Sequence, residues 1–266
     1  MIFETPFVRG IVCTCLCLAG LTGASAMEFT VKTVQAGKVI EATGPIERGD
    51  ANKFDLVARE ATVDAEGLRH ILLKSPGGDV GEAKLIAKLI RDLNFVTLVN
   101  GDCASACAMV LYPAGRYFML MDEGTLGFHT CYRANDLTPL PECTEEIAKF
   151  AAEHGFPYGS IKVFASLAGP RDMYRVSNVI AYCYGMEHFI GDPPPISVPT
   201  LCPHVAVTLQ IAGVVERDHP LGPSFDCSKA ATPTELLLCH DGELMQLDSL
   251  MGRLFKFVRD RQERMR

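Results

Sequence analysis

Apolar and polar residues alternate over residues 29–40, the period of two of a half-buried strand, and the run leads into a Thr43-Gly44-Pro45-Ile46 turn. Residues 54–65 mix apolar and charged positions as a helix does, and 68–73 predict a short strand ending at Ser75-Pro76-Gly77-Gly78. Two glycines after a proline mark a loop of unusual backbone freedom. Over 80–93, Leu85, Ile86, Leu89, Ile90 and Leu93 share one helical stripe, with Lys84, Lys88 and Arg91 off it. A strand over 95–99 follows, so strand, helix and strand predict a parallel crossover.

Residues 106–114 are apolar enough for a buried helix, closed by Gly115. Strands are predicted over 117–121 and 125–128, meeting at a turn around Asp122-Glu123-Gly124, and helices over 144–153 and 158–167. Pro193, Pro194, Pro195, Pro199 and Pro203 stiffen a stretch that suits neither helix nor strand and reads as a linker. A final strand over 205–215 precedes a separate module that begins near Pro223. At 266 residues and 48% hydrophobic, the chain has material for one mid-sized domain plus an appendage.

The N-terminus reads as an export signal. Arg9 lies in a short leading segment, residues 11–21 are apolar, and Ala24-Ser25-Ala26 forms a small-residue cleavage site, so the mature chain is expected to begin near Met27. An uncleaved anchor is the alternative. Three of the eleven cysteines, Cys13, Cys15 and Cys17, leave with the signal, and eight remain. An even number in an oxidising compartment points to disulfides. Cys131 and Cys143 flank a polar loop carrying Pro139 and Pro141, which makes them one candidate pair; Cys227 and Cys239 are the other. Cys103 and Cys107 stand four apart, and spacing leaves open whether they bond each other or pack against the core. No Cys or His spacing suits a zinc site, so no metal or other cofactor is expected. A net charge of −7 and a pI near 5.5 provide no footprint for nucleic acid.

The chemistry concentrates in two segments, Gly101 to Cys107 and Leu126-Gly127-Phe128-His129. A serine hydroxyl attacks well only when a base removes its proton and donors hold the oxyanion that forms. Ser105 stands where a strand gives way to a helix, so the Ala106 N–H lies at a helix start, facing a developing negative charge. The Gly77-Gly78 turn can bring up a second N–H, because no side chain obstructs its approach. His129, at a strand end, is the candidate general base.

The order of these parts, and the words Ser75-Pro76-Gly77-Gly78, Ala104-Ser105-Ala106 and Gly127-Phe128-His129, resemble the Clp protease proteolytic subunit and the wider Clp/crotonase superfamily, particularly exported Clp-like proteins of bacteria. The likeness covers residues 44–186. It implies an α/β fold with a Clp/crotonase-like parallel-sheet core of repeated ββα-type units. It also implies that Ser105 attacks a carbonyl, that His129 carries the proton, and that the amides of Gly78 and Ala106 hold the oxyanion. Asp172, ahead of Tyr184-Gly185, is the nearest equivalent of the family's acid, although an Asp there can equally cap a helix. The C-terminal segment, from Phe225-Asp226-Cys227 through Cys239 to Leu250, resembles the small helical module of the lysozyme-inhibitor LprI type. Thr232 and Glu235 form a capping-box pattern within it, and a Cys227–Cys239 bridge would staple a segment too small to hold itself folded.

These readings divide the chain into a signal peptide (1–26), a Clp-like serine hydrolase domain (27–191), a Pro-rich linker and strand (192–222) and a small disulfide-stapled α-helical LprI-like module (223–266). The expected function is that of an exported, periplasmic or secreted serine hydrolase, peptidase-like, acting on a peptide or protein substrate. The alternative is a Clp-fold binding or scaffold protein of the cell envelope that has lost efficient catalysis and meets an envelope partner through its C-terminal module. An oligomer is compatible with either.

Overall fold

The computed structural model describes residues 26–188 and 224–240, with Leu244, Asp248 and Met251 beyond them. The leader, the Pro-rich linker and the strand expected over 205–215 lie outside the described residues.

The chain is a mixed α/β structure built on one seven-stranded sheet. Strands β1 (Glu28–Val34) and β2 (Gly37–Thr43) form an antiparallel hairpin, in which Val34 pairs with Gly37. The single strand expected over 29–40 is thus two. The break is made at the Gln35-Ala36 turn, which reads as one more polar–apolar step, and Gly37, whose φ of +125° favours glycine, opens the second arm. β2 pairs in parallel with β3 (Arg69–Ser75), and β3 with β4 (Phe95–Ala104). Two short strands then use different stretches of β4, both in parallel. Residues 97–99 take β5 (Phe118–Leu120), while 102–104 take β6 (Thr125–Phe128). Antiparallel β7 (Tyr174–Ser177) completes the sheet on the far side of β6.

Helix α1 (Asp50–Ala58) begins and ends earlier than the charged-apolar mixture over 54–65 suggested. Helix α2 (Val80–Asp92) completes the β3–α2–β4 crossover, and Asp79 caps it by accepting the Glu82 N–H at 2.9 Å. Its buried face is Glu82, Ala83, Ile86, Ala87 and Ile90, whereas Leu85 is 55% exposed. The small residues Ala83 and Ala87 let the helix lie close to its neighbours, which rotates Leu85 out of the expected stripe. The buried helix expected over 106–114 is instead a wide i→i+5 turn over Cys107–Leu111 followed by a tight turn over Tyr112–Ala114, all of it buried. Tyr112 anchors this segment: its hydroxyl donates to the Met186 carbonyl at 3.0 Å, and its ring packs edge-on against Phe118 and Phe156. Helices α3 (Pro141–Glu153), α4 (Tyr158–Ser166) and α5 (Asn178–Cys183) follow.

In the C-terminal segment a short turn over Cys227–Lys229 precedes α6 (Pro233–His240). Glu235 N–H donates to Thr232 Oγ1 at 3.2 Å while Thr232 N–H donates to Glu235 Oε2 at 2.9 Å, so the two ends of the capping box satisfy each other. Disulfides join Cys103 to Cys107, Cys131 to Cys143 and Cys227 to Cys239, and Cys183 is also disulfide-bonded. Such bonds persist in oxidising, extracytoplasmic surroundings. Among the described residues no helix is long and apolar enough to cross a membrane.

Candidate active site

The Ser75-Pro76-Gly77-Gly78 turn that leaves β3 is fastened by hydrogen bonds on both sides of Gly78. The buried Ser75 hydroxyl accepts the Gly77 N–H at 3.1 Å. The Gly77 carbonyl accepts from Ile46 N–H at 2.8 Å, and Asp79 N–H donates to the Ile46 carbonyl at 2.9 Å. Gly78 sits between these two bonds with its own N–H directed elsewhere, since consecutive amides of an extended chain alternate in direction. Among the described residues, the N–H groups of Gly78 and Ala106 take no part in the turn and cap hydrogen bonds that hold this region.

Ser105 lies against that turn. A Cβ placed on Gly77 would stand 2.6 Å from Ser105 Cβ, 2.6 Å from the Ala104 carbonyl oxygen and 2.9 Å from the Ala106 nitrogen. The glycine therefore permits a contact that any side chain would block. Ser105 itself has a φ of +56°, unusual for a residue with a side chain and costing about 1–2 kcal/mol. Three features hold it there. Its N–H donates to the Gly127 carbonyl at 2.8 Å, its carbonyl accepts from Met109 N–H at 2.9 Å, and the Cys103–Cys107 disulfide closes the chain around it. Both cysteines are fully buried. This sharp step from β4 into the wide turn is what turns the Ser105 side chain out of the strand.

The same Gly127 carbonyl ties Ser105 to the histidine segment, since His129 follows only two residues on, at most about 7 Å of chain. Gly127 must be small: Ala104 Cβ would stand 2.8 Å, and Met173 Cγ and Sδ 2.9 Å, from a Cβ placed there. His129 is 4% exposed, and its ring lies 5.2 Å from that of Tyr132. Its Nδ1 is 2.9 Å from the Thr130 carbonyl oxygen, which can only accept. Nδ1 is therefore the protonated nitrogen, and Nε2 carries the lone pair. Burial lowers the imidazole pKa from its usual value, and the Thr130 carbonyl opposes that shift by favouring the protonated ring.

Thr130 is held in turn by the end of α4 and the residues after it: its hydroxyl donates to the Ala165 carbonyl at 2.9 Å and its N–H to the Ala168 carbonyl at 3.1 Å. The position on Nδ1 that the resemblance assigned to Asp172 is thus occupied by a backbone carbonyl. Asp172 is exposed, with its N–H donated to the Gly169 carbonyl at 3.1 Å. The β6–β7 register, in which Phe128 faces Tyr174, leaves Asp172 at the His129 end of the sheet but with its carboxylate in solvent. No hydrogen bond joins the two side chains among the described residues.

The likeness to solved structures is limited. A point mutant of ClpP1 from Listeria monocytogenes matches with a TM-score of 0.42 and 19% sequence identity, over 54% of this chain and 84% of that one. No protein-family model matches the chain, and no curated protein does.

The arrangement brings together the Gly77-Gly78 turn, Ser105 and Ala106, and attaches the His129 segment to Ser105 through one carbonyl. Two contributors had no signal in the sequence pattern. Thr130 acts through its main chain, which no side-chain pattern reports. The other is Arg175, which forms a forked pair with Asp102 at 3.0–3.1 Å while Asp102 also accepts from Thr125 Oγ1. That pair laces β4, β6 and β7 together just ahead of Ser105, although its exposure keeps its contribution to stability small.

Proposed function

We propose that this chain is an exported serine hydrolase of Clp-like fold, peptidase-like, in which Ser105 is the nucleophile, His129 the general base and the N–H groups of Gly78 and Ala106 the oxyanion hole. The observation that carries this reading is the contact of Gly77 with Ser105 and Ala106, too close for any side chain, beside two N–H groups left over from the local hydrogen bonding. In this mechanism Nε2 of His129 takes the hydroxyl proton as Ser105 Oγ bonds to the substrate carbonyl carbon. The carbonyl oxygen becomes an oxyanion between the two amides, and the imidazolium returns the proton to the leaving group. Water, deprotonated by the same histidine, then releases the acyl group. The Thr130 carbonyl keeps the histidine in the tautomer this requires.

The disulfides and the Ala24-Ser25-Ala26 site support export, with residues 223–266 as a separate LprI-like module after the linker. A second reading, a Clp-fold binding or scaffold protein with weak catalysis, is favoured by the carbonyl at Nδ1. A neutral acceptor stabilises an imidazolium less than a carboxylate does.

Treatment of the purified, disulfide-intact protein with a fluorophosphonate probe separates the two. The hydrolase reading expects one adduct, on the peptide that contains Ser105; a folded protein that takes up no probe leaves only the binding protein. The rate of labelling should also report His129. The reactive form is the neutral ring and burial lowers its pKa, so the rate should fall as pH drops through a midpoint below 6.5 and be flat above about pH 7. A midpoint well above 7 would assign the base to another group.

A further inference from the structure

Asp50, the first residue of α1, is a fully buried carboxylate, and its partners come from outside the active site. Oδ1 accepts from Lys53 Nζ at 2.7 Å, a side chain that reaches in from the solvent side with half its surface exposed. Oδ2 accepts the Glu47 N–H at 2.7 Å and the Met27 N–H at 3.2 Å. Met27 is 1% exposed although it stands at the very entrance to β1. Its nitrogen is the atom that cleavage after Ala24-Ser25-Ala26 would convert from an amide into an amine.

We propose that maturation docks the new α-ammonium of Met27 on the Asp50 carboxylate, so that removal of the leader completes a buried ion cluster and stabilises the folded chain. This rests on the export part of the reading above and is independent of catalysis. In the cleavage step water adds across the Ala26–Met27 amide: the carboxylate remains on Ala26, and the amine of Met27 takes up a proton. A neutral N–H contact thereby becomes a charge-assisted one, roughly twice as strong. Because the carboxylate is already desolvated by the fold, the ammonium meets a partner whose burial cost has been met. The ammonium's other two protons also need acceptors. A surface hollow of about 480 Å³, bordered by Met27, Lys53 and Leu56, leaves room for water to supply them.

The test compares two full-length mature chains, one beginning at Met27 and one that retains Ala24-Ser25-Ala26 ahead of it, each with and without Asp50→Asn. The chain beginning at Met27 should melt higher by about 4 °C or more, and the increment should vanish in the Asp50→Asn pair. Should Asp50→Asn prevent folding, Nα-acetylation of Met27 removes the charge alone and should abolish the same increment. Equal melting temperatures, or an increment that survives loss of either charge, overturn the proposal. The intact mass of the protein recovered from the periplasm distinguishes the two levels. A mass that retains residues 1–26 overturns cleavage after Ala26 and the docking with it, whereas a Met27 start without the thermal increment overturns only the docking.

Discussion

Ser105→Ala is expected to abolish fluorophosphonate labelling and to lower any hydrolytic turnover by about 10⁴-fold or more, to the level that binding and an oxyanion hole alone provide. The substitution separates chemistry from folding unusually well. Among the described residues the Ser105 hydroxyl makes no hydrogen bond, so its removal leaves no buried partner unsatisfied. Alanine bears the same Cβ that serine already carries at a φ of +56°, so the backbone cost is unchanged. The melting temperature should therefore stay within about 2 °C of the parent. Persistent labelling in a folded Ser105→Ala protein would move the nucleophile elsewhere. A large fall in melting temperature would mean instead that the hydroxyl serves the fold. His129→Ala, which removes only the base, should slow labelling by about 10²–10⁴-fold without abolishing it.

The largest effect on stability is expected at the turn that faces the serine. At Gly78 an added Cβ would meet the Ile46 carbonyl oxygen at 2.1 Å and the Ile46 nitrogen at 2.8 Å, both of them backbone atoms that cannot swing aside. Its φ of +150° adds a conformational cost that glycine alone escapes. To accept the methyl group, the turn must withdraw from Ile46 and give up the Ile46 N–H to Gly77 carbonyl and Asp79 N–H to Ile46 carbonyl bonds. Two backbone bonds, the strained φ and local repacking together place the loss for Gly78→Ala at about 3–5 kcal/mol, a large part of the stability of a typical domain. In thermal unfolding that is a drop of about 10 °C or more. Gly169→Ala is the control: nothing lies within 4 Å of an added Cβ there and no unusual φ is required, so the change should be within about 0.5 kcal/mol. A Gly78→Ala protein that unfolds together with this control would show that the turn does not rest on Ile46.

Much of the fold was legible because periodicity and chain breakers are local. The apolar run of β3, the stripe of α2 and the stops at Ser75-Pro76-Gly77-Gly78 predicted a parallel crossover, which β3, α2 and β4 form. Errors arose where the pattern does not change across a break. The Gln35-Ala36 turn reads as one more polar–apolar step of the run over 29–40, and Leu85 fits the helical period of α2 yet faces solvent. The segment after Ser105 was the hardest to read. A run as apolar as 106–114 suits any buried conformation, and only packing against α2, α3 and β4 selects a wide turn over a regular helix.

For the site, sequence by itself nominated Ser105, His129 and the double glycine, because a nucleophile, a base and a side-chain-free turn are chemical identities written in residue types. Tertiary structure decided how the segments that carry them are placed. It pressed Gly77 against Ser105, fixed the serine at a positive φ inside the Cys103–Cys107 ring, and joined it to the histidine segment through the Gly127 carbonyl. It also set a main-chain carbonyl on Nδ1 of His129 and left Asp172 in solvent. The physical reason is that every residue carries a carbonyl. Which one reaches a given ring nitrogen depends on α4 holding Thr130 in place, a contact between residues 35 positions apart that no local pattern records.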